Sequence, residues 1–103
     1  MSTIGTKEII VEVKELSFEK DQLVADLLRF LAEQLPQIDI TRNGNELEVK
    51  MPAKISKRAL RLRLRKFLYQ KGLYDQYRPI SFKKVDIDGY TIKKKKAVEL
   101  SYY

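Results

Sequence analysis

The sequence has no cysteine and no histidine. Disulfide bonds, thiolate or imidazole metal sites, and catalysis by either side chain are therefore excluded on chemical grounds. No glycine-rich phosphate-binding loop is present in the sequence. The acidic residues are scattered along the chain and form no paired-carboxylate motif. We therefore predict that the protein is not an enzyme, and we expect no metal, no cofactor and no small-molecule substrate.

Long apolar runs are also missing. No stretch approaches the roughly 20 apolar residues that a membrane-spanning helix needs. The first six residues lack the basic and apolar regions of a signal peptide. We therefore expect no membrane partner, and we expect the protein to stay in the compartment where it is made, the cytoplasm.

Charge, by contrast, is abundant and unevenly distributed. Charged residues make up 34% of the 103 residues and hydrophobic residues 44%, which suits a single domain with a packed core under a charged surface. Residues 1–50 hold six Lys and Arg against ten Asp and Glu, a net charge of −4, whereas residues 51–103 hold fifteen against four, a net charge of +11. A surface tuned for solubility would explain abundant charge but not its segregation. The basic half favours a polyanionic partner, whose condensed counterions are released when Lys and Arg bind it.

Hydrophobic periodicity predicts an α+β fold in the order β-α-β-β-α-β-β, with a mostly antiparallel sheet and two helices packed on one face. Alternating apolar residues indicate a first strand at residues 8–14. Ser17 is the expected N-cap of a first helix that ends before Pro36. Asn43-Gly44 suits a two-residue type I′ turn in a hairpin over residues 37–51. That turn pairs Ile40 with Leu47 and Ile38 with Val49.

The basic half begins with a second predicted helix over residues 56–72, which Ser56 caps and Gly72 ends in a left-handed conformation. A strand at residues 77–82 contains Pro79, which lacks the amide donor of a sheet ladder and therefore belongs at an edge. Residues 83–96 are expected to form a basic hairpin or loop, with a turn candidate at Asp88-Gly89, and residues 97–103 a last strand. The predicted core comprises Ile9, Val11, Leu27, Phe30, Ile40, Leu47, Val49, Leu60, Leu64 and Phe67.

Two groups of cations in the basic half are candidates for nucleic-acid binding. On a helix, Arg58, Arg61 and Arg65 share one outer face, where guanidinium groups can hold phosphate oxygens bidentately. Such a row suits the backbone shape of double-helical RNA, whose major groove is too deep and narrow for side chains to read. The lysine run at 93–96, with Lys83 and Lys84 across from it, would contribute charge without geometry, and a solvated hairpin tip is the alternative explanation. The predicted RNA-binding residues are Lys54, Lys57, Arg58, Arg61, Arg65, Lys66, Lys83, Lys84, Lys93, Lys94, Lys95 and Lys96.

Residues 56–81 also carry a recognisable pattern. Ser56-Lys57-Arg58 opens the predicted helix, and the pattern continues without a gap through Leu60, Arg61, Arg65-Lys66, Leu68, Leu73, Asp75 and Arg78. In these residues, and in the order of its elements, the chain resembles the eukaryotic-type twenty-second protein of the large ribosomal subunit. The resemblance implies a structural ribosomal protein of the cytoplasm that binds structured rRNA, with neighbouring ribosomal proteins as further candidate partners.

Other functions remain open from the sequence. A nucleic-acid-binding protein outside the ribosome, acting on RNA or DNA, would have the same signature because phosphate contacts do not distinguish the two polymers. A protein-interaction module would use the sheet edge near Pro79 or the acidic first helix, and a peripheral membrane protein would use the lysine run, but both leave the helix arginines without a role. Tyr69 and Tyr74 have two candidate roles, stacking on unpaired bases or packing at the end of the helix.

Overall fold

The computed structural model describes residues 5–95. In this range the elements are β1 (Thr6–Glu12), α1 (Lys14–Glu19), α2 (Asp21–Gln34), β2 (Asp39–Asn43), β3 (Glu46–Pro52), α3 (Lys57–Gln70), β4 (Tyr77–Lys83) and β5 (Asp88–Lys94). The strands form one sheet in the order β2-β3-β1-β5-β4. Only β1 and β5 run parallel among its neighbouring pairs. The predicted α+β fold with a mostly antiparallel sheet is confirmed.

The predicted first helix is divided into α1 and α2, so the described chain has three helices rather than two. The prediction that Ser17 caps a helix is wrong, because α1 begins three residues earlier and the Ser17 hydroxyl donates to the Lys14 carbonyl at 2.9 Å. Lys20 has an extended backbone, with φ −160° and ψ 124°, and separates the two helices. The earlier start brings Leu16 into the core, where it is fully buried. The burial of this leucine outweighs the capping preference of the serine.

The predicted hairpin forms from β2 and β3, but its turn differs. The two-residue loop is Gly44-Asn45, and Gly44 alone has a positive φ, 65°, which is the pattern of a type II′ turn rather than type I′. The register is therefore shifted, and Ile40 pairs with Val49, the residue predicted to oppose Ile38. Because the shift is two residues, the alternation of side chains is unchanged and the predicted apolar face is still the face that the helices cover.

Among the strands that the structure describes, β4 pairs with β5 alone, and this edge position agrees with the prediction made from Pro79. β5 itself lies inside the segment 83–96, so the described part of that segment contains the turn and the second strand of a hairpin. The predicted strand at 97–103 lies outside the described residues.

The turn of the β4–β5 hairpin lies at residues 84–87, where the Lys84 amide donates to the Ile87 carbonyl at 2.7 Å. The predicted turn at Asp88-Gly89 is wrong, because both residues belong to β5. A Cβ atom on Gly89 would lie only 2.1 Å from the carbonyl oxygen of Ile10 in the neighbouring strand. This glycine is required by a close approach of two backbones rather than by a turn.

The core lies between the helices and one face of the sheet. Eight of the ten predicted core residues are at most 1% exposed, and the other two, Phe30 and Ile40, are partly buried against them. The Phe30 ring contacts that of Phe67 at a centroid distance of 5.6 Å and so joins α2 to α3. Both predicted ends of α3 are confirmed, because the Ser56 hydroxyl accepts from the Ala59 amide at 3.2 Å and Gly72 has a φ of 71°.

Candidate nucleic-acid interface

The buried residues of α3 determine which residues of the helix face the solvent. Its four inner residues are at most 1% exposed, and burying each Leu or Phe side chain contributes about 1.5 to 3 kcal/mol. On the outer side Arg58 and Arg61 are exposed and Arg65 is half-buried. The predicted arginine row therefore lies away from the core on a helix that cannot rotate without losing its packing. The inner residues are Leu60, Leu64, Phe67 and Leu68.

A groove of about 450 Å³ lies between α3 and the edge strand β4, and we call it the basic groove. Four of its eight lining residues are cationic, and none of the described residues that line it is Asp or Glu. A concave surface lined by charges of one sign focuses the electric field, so the groove is suited to attract phosphate groups. The lining residues are Arg61, Arg65, Tyr74, Arg78, Pro79, Ile80, Ser81 and Lys95.

Tyr74 joins the cations of the groove to one another. The Arg65 guanidinium donates to the Tyr74 hydroxyl at 3.1 Å and lies 5.9 Å from the ring centroid, while the Lys95 ammonium lies 5.1 Å from the same centroid. The hydrogen bond from Arg65 and the positive charge of Arg65 lower the pKa of Tyr74. Two cations are thus positioned at one aromatic ring, and Arg65 is oriented rather than free to sample many conformations.

Lys57, which the sequence predicts to bind RNA, makes several contacts within the protein. Its ammonium group forms a salt bridge with Asp88, donates to the Ser81 hydroxyl at 2.8 Å, and lies 4.8 Å from the centroid of the Tyr90 ring. The Tyr90 hydroxyl in turn donates to the Lys57 carbonyl at 3.1 Å. Burial raises the pKa of Tyr90. These contacts join the start of α3 to the β4–β5 hairpin, whose Ser81 lines the basic groove. The Lys57 ammonium group already contacts Asp88, Ser81 and the Tyr90 ring.

The predicted lysines do not form a single cluster. Lys83 pairs with Asp88 near the turn of the hairpin, whereas Lys93 pairs with Arg78 near its other end. The expectation that Lys83 and Lys84 lie across from the run 93–96 is therefore wrong. The reason is the turn, which lies at 84–87 instead of 88–89 and so separates the two groups by most of the length of the strands.

The lysine run is itself divided by the strand. Lys94 points to the helix side, where its backbone amide donates to the Glu15 carboxylate at 2.9 Å, and Lys93, its neighbour in β5, belongs to the opposite face. Lys95 lines the basic groove. Lys96 lies outside the described residues. The structure therefore brings one described lysine of the run together with the helix arginines.

Of the other predicted residues, Lys54 is exposed just before α3, and Lys66 is exposed on its outer side. Lys66 lines a second hollow of about 410 Å³, which we call the tyrosine hollow; its lining residues are Leu62, Arg65, Lys66, Tyr69, Gln70 and Tyr74. The rings of Tyr69 and Tyr74 are stacked there, with a centroid distance of 5.2 Å and an interplanar angle of 16°. Arg65 and Tyr74 line both the hollow and the basic groove.

On the face of the sheet that the helices do not cover, the part formed by β1 and β3 is mostly acidic, whereas Lys93 of β5 belongs to the other end of the same face. Residues Glu8 and Glu12 of β1 and Glu46 and Glu48 of β3 alternate with the buried apolar residues of their strands and therefore point to this second face. A polyanion is repelled at the β1–β3 part of this face and attracted at the basic groove. The distribution of charge over the described residues therefore favours the approach of a polyanion from the side of the groove.

Sequence reasoning missed two residues of the groove. Arg78 was part of the resemblance but not of the predicted binding set, and Tyr74 was considered only for stacking on bases or for packing at the end of the helix. Arg78 reaches the site because β4 lies beside α3, and Tyr74 because it lies in the connection between these two elements. No local periodicity predicts that neighbourhood. The available signal was Pro79, which places β4 at an edge where one side of the strand faces solvent.

No protein-family model matches the chain, and no curated protein is detectably similar to it. The likeness to the ribosomal family therefore depends on the quoted residues alone. Among residues 5–95 no helix is long and apolar enough to cross a membrane. In the same range no three acidic side chains are grouped so that they could hold a metal ion.

Proposed function

We propose that this protein is a non-enzymatic RNA-binding protein, and that it binds structured rRNA in the large ribosomal subunit through the basic groove. The observation that carries the proposal is the groove itself, which is lined by Arg61, Arg65, Arg78 and Lys95 and, among the described residues, by no carboxylate. Guanidinium groups on rigid elements favour bidentate contacts with phosphate oxygens. The spacing of such contacts selects a backbone shape rather than a base sequence.

The ribosomal resemblance bears only on which polyanion the groove binds. Its residues, from Ser56-Lys57-Arg58 at the start of α3 to Arg78 in β4, include members of the groove and also Lys57, which joins α3 to the hairpin. The pattern that resembles the ribosomal family thus coincides with the residues that form or support the basic groove. This coincidence favours rRNA over other polyanions as the natural ligand.

The first test is direct binding. We expect the purified protein to bind a folded RNA hairpin more tightly than a single-stranded RNA of equal charge, with an affinity that falls steeply as salt rises. Duplex DNA of the same length serves as the competitor that separates an RNA-binding protein from a general nucleic-acid-binding protein. Equal affinity for all three ligands would contradict recognition of RNA shape.

The second test addresses the ribosome. A lysate from cells that produce the protein, fractionated on a sucrose gradient, should show it co-migrating with large subunits at low magnesium, where the two subunits separate. A variant in which Arg61, Arg65 and Arg78 are replaced by Gln should move toward the top of the gradient. Migration of the wild-type protein with other ribonucleoproteins instead would retain RNA binding and refute the ribosomal assignment.

A further inference from the structure

Tyr69 offers an aromatic surface that the fold does not use. The residue lies in the last turn of α3 and is 71% exposed, although one of its ring faces stacks on Tyr74. The hydrogen bond from Arg65 to the Tyr74 hydroxyl holds the lower ring of this stack in place. The outer ring is therefore pre-oriented by a stack and a hydrogen bond while most of its area faces solvent, which argues against a packing role for Tyr69.

The chemistry around Tyr69 fits one class of ligand. The tyrosine hollow combines the exposed aromatic ring and the 46% exposed Leu62 with the cations Arg65 and Lys66 and the amide of Gln70. A nucleobase needs a π-surface and a neighbouring edge partner, and its nucleotide needs cations for the phosphate. A side-chain amide can both donate to and accept from a base edge. Within residues 5–95, no carboxylate lines the hollow to repel the phosphate.

The position of the hollow connects it to the basic groove. Arg65 and Tyr74 line both, so the two sites share a wall. A strand whose phosphates lie along Arg61 and Arg65 would reach Tyr69 with a base that is not engaged in a pair. We propose that the tyrosine hollow binds one unpaired nucleobase, stacked on the outer face of Tyr69, at a junction between paired and unpaired RNA. This inference rests on the proposed function, because it requires an RNA backbone in the groove.

The test compares two RNA hairpins that share one stem and differ by a single bulged nucleotide, which carries 2-aminopurine as the base. We expect the wild-type protein to bind the bulged hairpin more tightly than the fully paired one and to quench the fluorescence of the 2-aminopurine on binding. Tyr69→Ala should lose about 5- to 150-fold of the affinity for the bulged hairpin, the range that one stacked base contributes. Its affinity for the paired hairpin should stay unchanged.

Matched variants separate stacking from apolar contact. Tyr69→Phe retains the ring and should retain both the preference and the quenching, whereas Tyr69→Leu retains apolar area but should lose both. Circular dichroism should show all three variants folded, because the side chain is mostly in solvent. A bulged DNA hairpin reveals whether the hollow also accepts a deoxynucleotide, and equal preference there would overturn the assignment to RNA.

The outcomes distinguish this inference from the proposed function. If the wild-type protein binds the paired hairpin through the groove arginines but shows no preference for the bulge and no quenching, the tyrosine hollow is not a base site and the proposed function stands. If the wild-type protein binds neither hairpin, the proposed function and this inference are both refuted. An abasic bulge that is bound as tightly as the 2-aminopurine bulge would also overturn the inference, because it leaves the backbone and removes the base.

Discussion

Removing charge from the basic groove should change the salt dependence of RNA binding by a calculable amount. In the double variant Arg61→Gln/Arg78→Gln, one exposed arginine is lost from each wall of the groove, α3 and β4. If each arginine neutralises one phosphate, the slope of log affinity against log salt should become shallower by about 1.4 to 1.8, since each contact contributes about 0.7 to 0.9. Between about 50 and 200 mM salt the wild-type protein should therefore lose roughly tenfold more affinity than the variant.

Fluorescence anisotropy with a labelled RNA hairpin, repeated over a salt series, measures this slope. The matched control is Arg29→Gln/Lys50→Gln, which removes the same charge from α2 and from the uncovered face of the sheet. We expect the control to retain the wild-type slope, because neither residue lines the groove. Equal slopes for the wild-type protein and the groove variant, or an equal loss in both variants, would refute the location of the phosphate contacts.

The remaining predictions concern how the fold supports this site, and urea denaturation measures the stability change in each. Leu64→Ala should lower the free energy of unfolding by about 2 to 5 kcal/mol, because the side chain is fully buried; a change below about 0.5 kcal/mol would contradict its burial in the core. Gly89→Ala should destabilise by about 3 kcal/mol, since its Cβ would meet a backbone oxygen, whereas Gly5→Ala, where the nearest atom is 4.0 Å away, should be close to neutral. Lys57→Met should lower stability by about 1 to 2 kcal/mol and leave the salt slope of RNA binding at its wild-type value; a shallower slope would return Lys57 to the set of phosphate ligands.

Local patterns were sufficient to predict most elements of the fold. The caps of α3 at Ser56 and Gly72 and the edge position of β4 follow from the conformations that single residues permit, and the structure confirms all three. The division of α1 from α2 could not be predicted in this way. It depends on Leu16, which reaches the core only if the helix begins before Ser17, and that gain in burial involves residues far apart in the sequence.

The prediction from Gly89 was wrong because a hairpin turn and a close approach of two backbones both require glycine. Asp88-Gly89 has the composition of a hairpin turn, yet Gly89 is needed because β5 passes close to Ile10 of β1. A parallel neighbour 79 residues away cannot be inferred from a local dipeptide. The wrong turn also led to wrong predicted positions for the lysines, since a turn at 88–89 would have placed Lys83 and Lys84 across from the run 93–96.

The candidate site was predicted only in part, because local patterns do not show which elements pack together. The helix arginines follow from the period of the helix, but the groove needs Arg78 and Tyr74 from elements that only tertiary packing brings together. Two of the described lysines of the run, Lys93 and Lys94, lie on opposite faces of β5, so the run cannot act there as one cluster of charge. If RNA recognition depends on the groove, it also depends on the contact between α3 and the hairpin. Lys57 contributes to that contact through its bonds to Ser81 and Asp88. The shape of the groove, which would distinguish one RNA from another, is therefore built by the same packing that stabilises the domain. Surface charge without that shape would attract RNA but would not select among RNAs.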